Sequence, residues 1–168
     1  MKYQLTKLEI ENVQNMVRLK FNESRHKGFK HKWVGKQTFT DAPTLTGFAA
    51  EQAWASMHGA KYSFRPYNKT NDDVLGYQIR ATRHQNGCLL THDDDNDGYY
   101  LFATVSLDFM VTFKGWQELR YCNLPYAWAS DMPHPCYKTS TDRLLPMDML
   151  PATDALIQHR RAMVASVS

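Results

Sequence analysis

The chain has 168 residues, of which 43% are hydrophobic and 22% charged, with a net charge of +3. That balance excludes a disordered polar chain and leaves one domain enough apolar material for a core. Three widely spaced cysteines, Cys88, Cys122 and Cys136, form no CxxC pair, which argues against a zinc site or a disulfide framework and for a reducing cytosol.

Charge is uneven along the chain. Residues 1 to 40 carry nine Lys or Arg against three Glu, whereas the middle contains the acidic run HDDDND. A basic first third permits a phosphate-bearing partner. No apolar run reaches the length of a membrane span, and the first residues do not read as a signal peptide. The expectation is a single cytoplasmic domain without membrane contact: a basic helical extension over 1–40, a core over 44–151 and a closing helix over 152–168.

In chain order, Thr6 and Glu9 make a T-x-x-E capping box. Ile10, Val13, Met16 and Phe21 follow at helical spacing, which predicts an amphipathic helix over 7–25. The stretch SRHKGFKHKWVGKQTF reads as irregular. Its Arg25, Lys27, Lys30, Lys32 and Lys36 interleave with Phe29 and Trp33, a combination suited to phosphate contact and base stacking; a solvated basic loop explains it equally. A second helix is predicted over 44–58, with Phe48, Ala49, Ala53 and Met57 on its apolar side and Gly59 as its C-cap. Strands are predicted over 60–64, 76–82, 87–91, 99–107 and 110–116, with 99–107 central. The proline-containing NLPYAWASDMPHPCY reads as an irregular excursion, and DALIQHRRAMVA as a final helix. Helices and strands in this order predict an α/β (α+β) fold, a mixed sheet flanked by helices.

Asp93, Asp95, Asp97 and Gly98 open like a calcium loop. The position that requires a bidentate Glu is Thr104, inside the surest strand, so an acidic turn is the better reading. The seven histidines include no HxH, HxxxH or HExxH pattern.

NDDVLGYQIRAT is more pointed. Asp73 stands just before a strand on which Gln78 and Arg80 face the same way, because strand side chains alternate. Glu51 on the preceding helix is a further oxygen donor. Phosphodiester hydrolysis with Mg²⁺ needs such oxygen ligands and a cation for the phosphate. Glutamine offers a carbonyl oxygen but no charge. Arginine cannot act as a base at any working pH, though it clamps phosphate bidentately. Three pictures stand open. Glu51, Asp73 and a carbonyl near Ile79 hold a metal while Arg80 steadies phosphate; or the metal site has decayed and the sheet edge, with the basic N-terminal segment, binds nucleic acid without cutting; or Arg80 is an ion-pair partner of Asp73 and little else.

The order GFAAEQAWASMHG, DDVLGYQIRAT, LLTHDDDNDGYYLFATVSL, FKGWQEL and DRLLPMDML resembles small phage and bacterial proteins of the PD-(D/E)XK restriction-endonuclease-like family, over about residues 46–151. Gln78 replaces the usual acid and Arg80 the usual lysine. The resemblance implies a restriction-endonuclease-like core and a nuclease-like, nucleic-acid-directed protein, with Glu51, Asp73, Gln78 and Arg80 as site residues, the first three around Mg²⁺. It equally admits a non-catalytic phage module, working in the host cytoplasm on DNA or on a host protein. Tyr126 and Trp128 of the excursion would then offer a contact surface.

Overall fold

Thr6 and Glu9 start the first helix reciprocally. The Thr6 N–H donates to Glu9 Oε2 at 2.7 Å, and the Glu9 N–H donates to Thr6 Oγ1 at 3.3 Å. The helix they cap, α1, runs Lys7–His26 and follows a short strand β1, Lys2–Gln4. The computed structural model describes residues 1–26, 42–62, 73–132 and 134–165.

Helix α2, Ala42–Met57, lies between α1 and a sheet. Phe48, Ala49, Ala50, Ala53, Trp54 and Ala55 are all buried, which is why the sequence shows no narrow apolar stripe: the helix is covered on two sides. Trp54 meets Tyr77 and Phe113 edge-on, with ring centroids 5.4 and 5.2 Å apart. The helix ends at Gly59, with φ 65°. There the Ala60 N–H reaches the Ala55 carbonyl and the Gly59 N–H the Ser56 carbonyl, a Schellman closure. The same closure corrects the strand expected over 60–64. Residues 60–62 are not in a strand, because the Ala60 N–H is spent on the helix end; residues 63 and 64 lie outside the described residues.

The remaining strands are β2 (Tyr77–Thr82), β3 (Leu89–Thr91), β4 (Tyr99–Val105), β5 (Met110–Glu118), β6 (Trp128–Ala129) and β7 (Cys136–Thr139); a short helix α3 spans Leu119–Cys122 and α4 spans Asp154–Ala165. The main sheet has the order β1-β5-β4-β2, and the second β3-β7-β6. Strand β4 pairs with β2 in parallel and with β5 antiparallel, so the main sheet is mixed and the expected central strand is internal. The architecture is α+β, a mixed sheet flanked by helices. The N-terminal segment is integral to it, since β1 pairs with β5 and Val13, Met16 and Val17 of α1 enter the core.

The sheet has two covered faces. Tyr77, Ile79, Leu101, Ala103 and Val105 share a cluster with α1 and α2, whereas Tyr100 and Phe102 pack with Leu89, Leu119 and Cys122. Strand alternation then puts Gln78 and Arg80, in register with Tyr100 and Phe102, on the face away from α2.

Two glycines hold the structure at close approaches. Lys114 is the extra residue of a bulge, since Phe102 pairs with Gly115 and Ala103 with Phe113. At Gly115 a Cβ would come within 2.7 Å of Leu144 Cβ and of the Leu145 carbonyl, which is how the Leu144–Leu145 segment packs against β5. Ahead of β2, Val74 and Tyr77 exchange both backbone hydrogen bonds around Leu75 and Gly76, at φ 54° and 83°. That is a type I′ turn. A Cβ on Gly76 would lie 2.7 Å from Thr153 Oγ1, and Thr153 in turn caps α4 through the Leu156 N–H at 3.2 Å. Gly76→Ala is expected to cost about 1–3 kcal/mol, plus the displacement of Thr153, and urea unfolding measures it.

Candidate functional site

Strand β2 is an edge, and edge strands expose backbone groups that need partners. The Ile79 N–H finds Asp73 Oδ2 at 2.7 Å. The type I′ turn makes this reach short, and the Asp73 N–H bonds back to the Tyr77 carbonyl at 2.9 Å. Asp73 is thereby fixed at the rim of the sheet, between its two faces.

On the outer face, Arg80 lies 3.7 Å from Asp73 Oδ2 and donates to Asp95 Oδ1 at 3.0 Å. Its guanidinium also sits 5.3 Å from the Tyr100 ring centroid. Asp95 is oriented by the His92 N–H, which donates to its other oxygen at 3.0 Å. The acidic run therefore serves as a turn that supplies a counter-charge to β2. Asp93 belongs to the same turn and accepts the Tyr137 hydroxyl at 2.8 Å. Gln78 is buried on this outer face, at 8% exposure.

On the helix face, half-buried Glu51 accepts a hydrogen bond from the Tyr62 hydroxyl. Burial, and then the Asp73 charge, push its carboxyl up to about 7, while Tyr62, Lys20 and Arg80 pull in the opposite direction. Burial and the Glu51 charge raise the Tyr62 hydroxyl in turn. Lys20 of α1 also lies 5.3 Å above the Phe48 ring. Neutralising a carboxyl by desolvation and a neighbouring carboxylate is the signature of two acids sharing a restricted space.

The structure thus brings Glu51, Asp73 and Arg80 into one electrostatic neighbourhood centred on Asp73. Glu51 and Gln78 are on opposite faces, so the expected three-donor set does not share a side of the sheet. Among the described residues, no three His, Cys, Asp or Glu side chains gather into a metal cage. Mg²⁺ does not require one, since it is commonly held by one or two carboxylates with water and substrate phosphates. Glu51 and Asp73 fit that requirement, because a dication would relieve their mutual repulsion. Gln78 fits it less well, because it is neutral and faces away from Glu51.

The basic segment cannot be placed beside this site. Lys27, Lys30, Lys32, Trp33 and Lys36 lie outside the described residues, as does the side chain of Arg25. Sequence reasoning missed three participants, Lys20, Tyr62 and Asp95. Asp95 was visible only as part of a turn, and Tyr62 lay in a stretch expected to be a strand. No helix among the described residues is long and apolar enough to cross a membrane. No family model, curated protein or solved structure matches the chain.

The Glu51 environment sets the sign of a pH effect. A carboxyl raised from 4.5 to about 7 on folding binds more protons in the native state than in the unfolded chain. Its contribution to stability is therefore full below pH 4.5 and is lost as pH rises toward 7. In metal-free protein, Glu51→Gln keeps an acceptor for Tyr62 and removes the charge. It is expected to raise the melting temperature by a few degrees at pH 8 and by less at pH 5, as thermal unfolding at the two pH values measures.

Proposed function

We propose that the chain is a nuclease-like, nucleic-acid-directed protein whose site is built around Asp73. The observation that carries this reading is Asp73, fixed at the rim of an edge strand by the Ile79 N–H with Arg80 3.7 Å away, while its charge reaches the Glu51 carboxyl. Resemblance to the PD-(D/E)XK family supports it through Glu51, Asp73 and the strand bearing Gln78 and Arg80. The setting is the cytoplasm of a host cell, and the source a phage or bacterial gene.

Glu51 and Asp73 would hold Mg²⁺, with the Gln78 amide a weaker contributor. The ion supplies charge stabilisation for a phosphoryl oxygen and activation of water. Arg80 stays protonated and is placed to hold a phosphate oxygen. Doing so requires it to turn from Asp95 or Asp73, with which it makes partly buried ion pairs at 3.0 and 3.7 Å. Asp73 holds the Ile79 N–H at 2.7 Å, which fixes its carboxylate at the strand rim.

A second reading is favoured by a separate observation. Arg80 is engaged by two carboxylates, and Gln78 carries no charge. On that reading the same fold is a non-catalytic module that binds DNA or a host protein.

Incubation of plasmid and single-stranded DNA with Mg²⁺ or Mn²⁺ separates the two. The expected result is cleavage, lost by about 100-fold or more in Asp73→Asn. That variant retains an acceptor for Ile79 and so tests charge rather than folding. No cleavage by the wild type selects the binding module.

A further inference from the structure

A second surface, remote in sequence from Asp73, has its own chemistry. Beyond the end of β5, α3 and a 3₁₀ turn at Pro125–Ala127 stand opposite β7 and a 3₁₀ turn at Thr141–Arg143. Between them lies a cavity of about 500 Å³, within the range of small-molecule sites, about 300–1,000 Å³. Tyr121, Tyr126, Lys138 and Arg143 line it, with no Asp or Glu among its described lining residues. Tyr121 and Tyr126 are 52% and 68% exposed, although each ring carries a guanidinium over it, Arg120 at 4.8 Å and Arg143 at 4.6 Å from the centroids.

The walls are held before any ligand arrives. Pro125 starts the turn that presents Tyr126, and the Ala127 N–H closes it on the Leu124 carbonyl at 2.8 Å. Arg143 lies over the Tyr126 ring with its guanidinium 4.6 Å from the centroid. Its carbonyl accepts Gln117 Nε2 at 3.2 Å. Leu145, on the cavity floor, exchanges backbone hydrogen bonds with Trp116 at 2.9 and 3.0 Å, which the missing Cβ of Gly115 permits. Lys138 is 4.0 Å from Asp131, which is 81% exposed, a contact weak enough to exchange for phosphate.

We propose that this cavity receives an unpaired nucleotide of a single-stranded nucleic acid, with the base against Tyr121 and Tyr126 and the backbone phosphates on Lys138 and Arg143. Exposed aromatic side chains with cations against them, and no carboxylate among the described lining residues, match a polyanion that carries flat apolar rings. A duplex keeps its bases stacked and cannot offer one to such a cavity. The inference rests on the nucleic-acid reading above but not on cleavage, and it gives the strand a docking point separate from the Asp73 rim.

Fluorescence anisotropy of the full chain with labelled single-stranded oligo-dT, and with a duplex of equal length, tests it in EDTA at low salt. The single strand is expected to bind more tightly. Tyr126→Ala, an exposed position whose loss leaves the core intact, is expected to weaken it by roughly 5- to 150-fold. Lys138→Ala or Arg143→Ala should each reduce the salt slope by about 0.7. Wild-type binding that Tyr126→Ala, Lys138→Ala and Arg143→Ala leave unchanged overturns the cavity while the nucleic-acid reading stands. Equal preference for duplex overturns the unpaired nucleotide. No binding of either oligonucleotide overturns both, and sedimentation of a self-associated chain that Tyr126→Arg dissociates assigns the face to protein instead.

Discussion

An edge strand must satisfy its outward N–H groups, and in β2 the Ile79 N–H is met by the Asp73 carboxylate. Much of the site follows from that one bond. It draws Asp73 to the rim, where Arg80 approaches from one face and Glu51 from the other. Burial raises the Glu51 carboxyl first, and the charge of Asp73, held in place by backbone, raises it further. The turn that makes the bond reachable needs Gly76, and Gly76 in turn admits Thr153 and the start of α4. On the proposed reading, the carboxylate that caps the strand edge and the carboxylate that would hold an ion are one side chain. Neighbouring acids held against their own repulsion attract hard cations.

Much of the fold was legible because local chemistry and tertiary structure agree. The Thr6–Glu9 box, the periodicity of Val13 and Met16, the Gly59 cap and the β-branched and aromatic run of β4 each state their own structure. The stretch over 60–64 was not legible in that way. Lys61 and Tyr62 suit a strand, but Ala60 completes a helix end, a contact set by the preceding five residues. Nor was the N-terminal segment legible as part of the core. Its charge suggested an extension, whereas the pairing of β1 with β5 depends on a strand more than a hundred residues away.

The site was half legible for the same reason. Alternation along β2 puts Gln78 and Arg80 on one face, in register with Tyr100 and Phe102, and Glu51 and Asp73, expected from the order of motifs, lie within electrostatic reach of each other. Sequence spacing does not say on which face a helix lies, so the separation of Glu51 from Gln78 by the sheet could not be read. Asp95 shows the converse. Its DDDNDG context suggested an ion loop or a solvated turn, and the structure uses it as a counter-charge for Arg80. Tyr126 stood out with Trp128 in an aromatic, proline-containing excursion, but Lys138 and Arg143 join it only through the fold, from segments with no motif of their own.

On the proposed reading, the two surfaces would divide the work of a nucleic-acid-directed protein. The rim at Asp73 would bring an ion and a phosphate together. The cavity at Tyr126 would offer rings and cations to a strand. Both depend on the central sheet, since β2 carries the first and the close approach at Gly115 shapes the second. The claim beneath this account is that Asp73 presses on Glu51. Carbon-13 NMR titration of the Glu51 carboxyl in metal-free protein tests it directly. The account predicts a midpoint near 7 that falls in Asp73→Asn and on addition of Mg²⁺. A Glu51 carboxyl that titrates near 4.5, unmoved by either change, would contradict it.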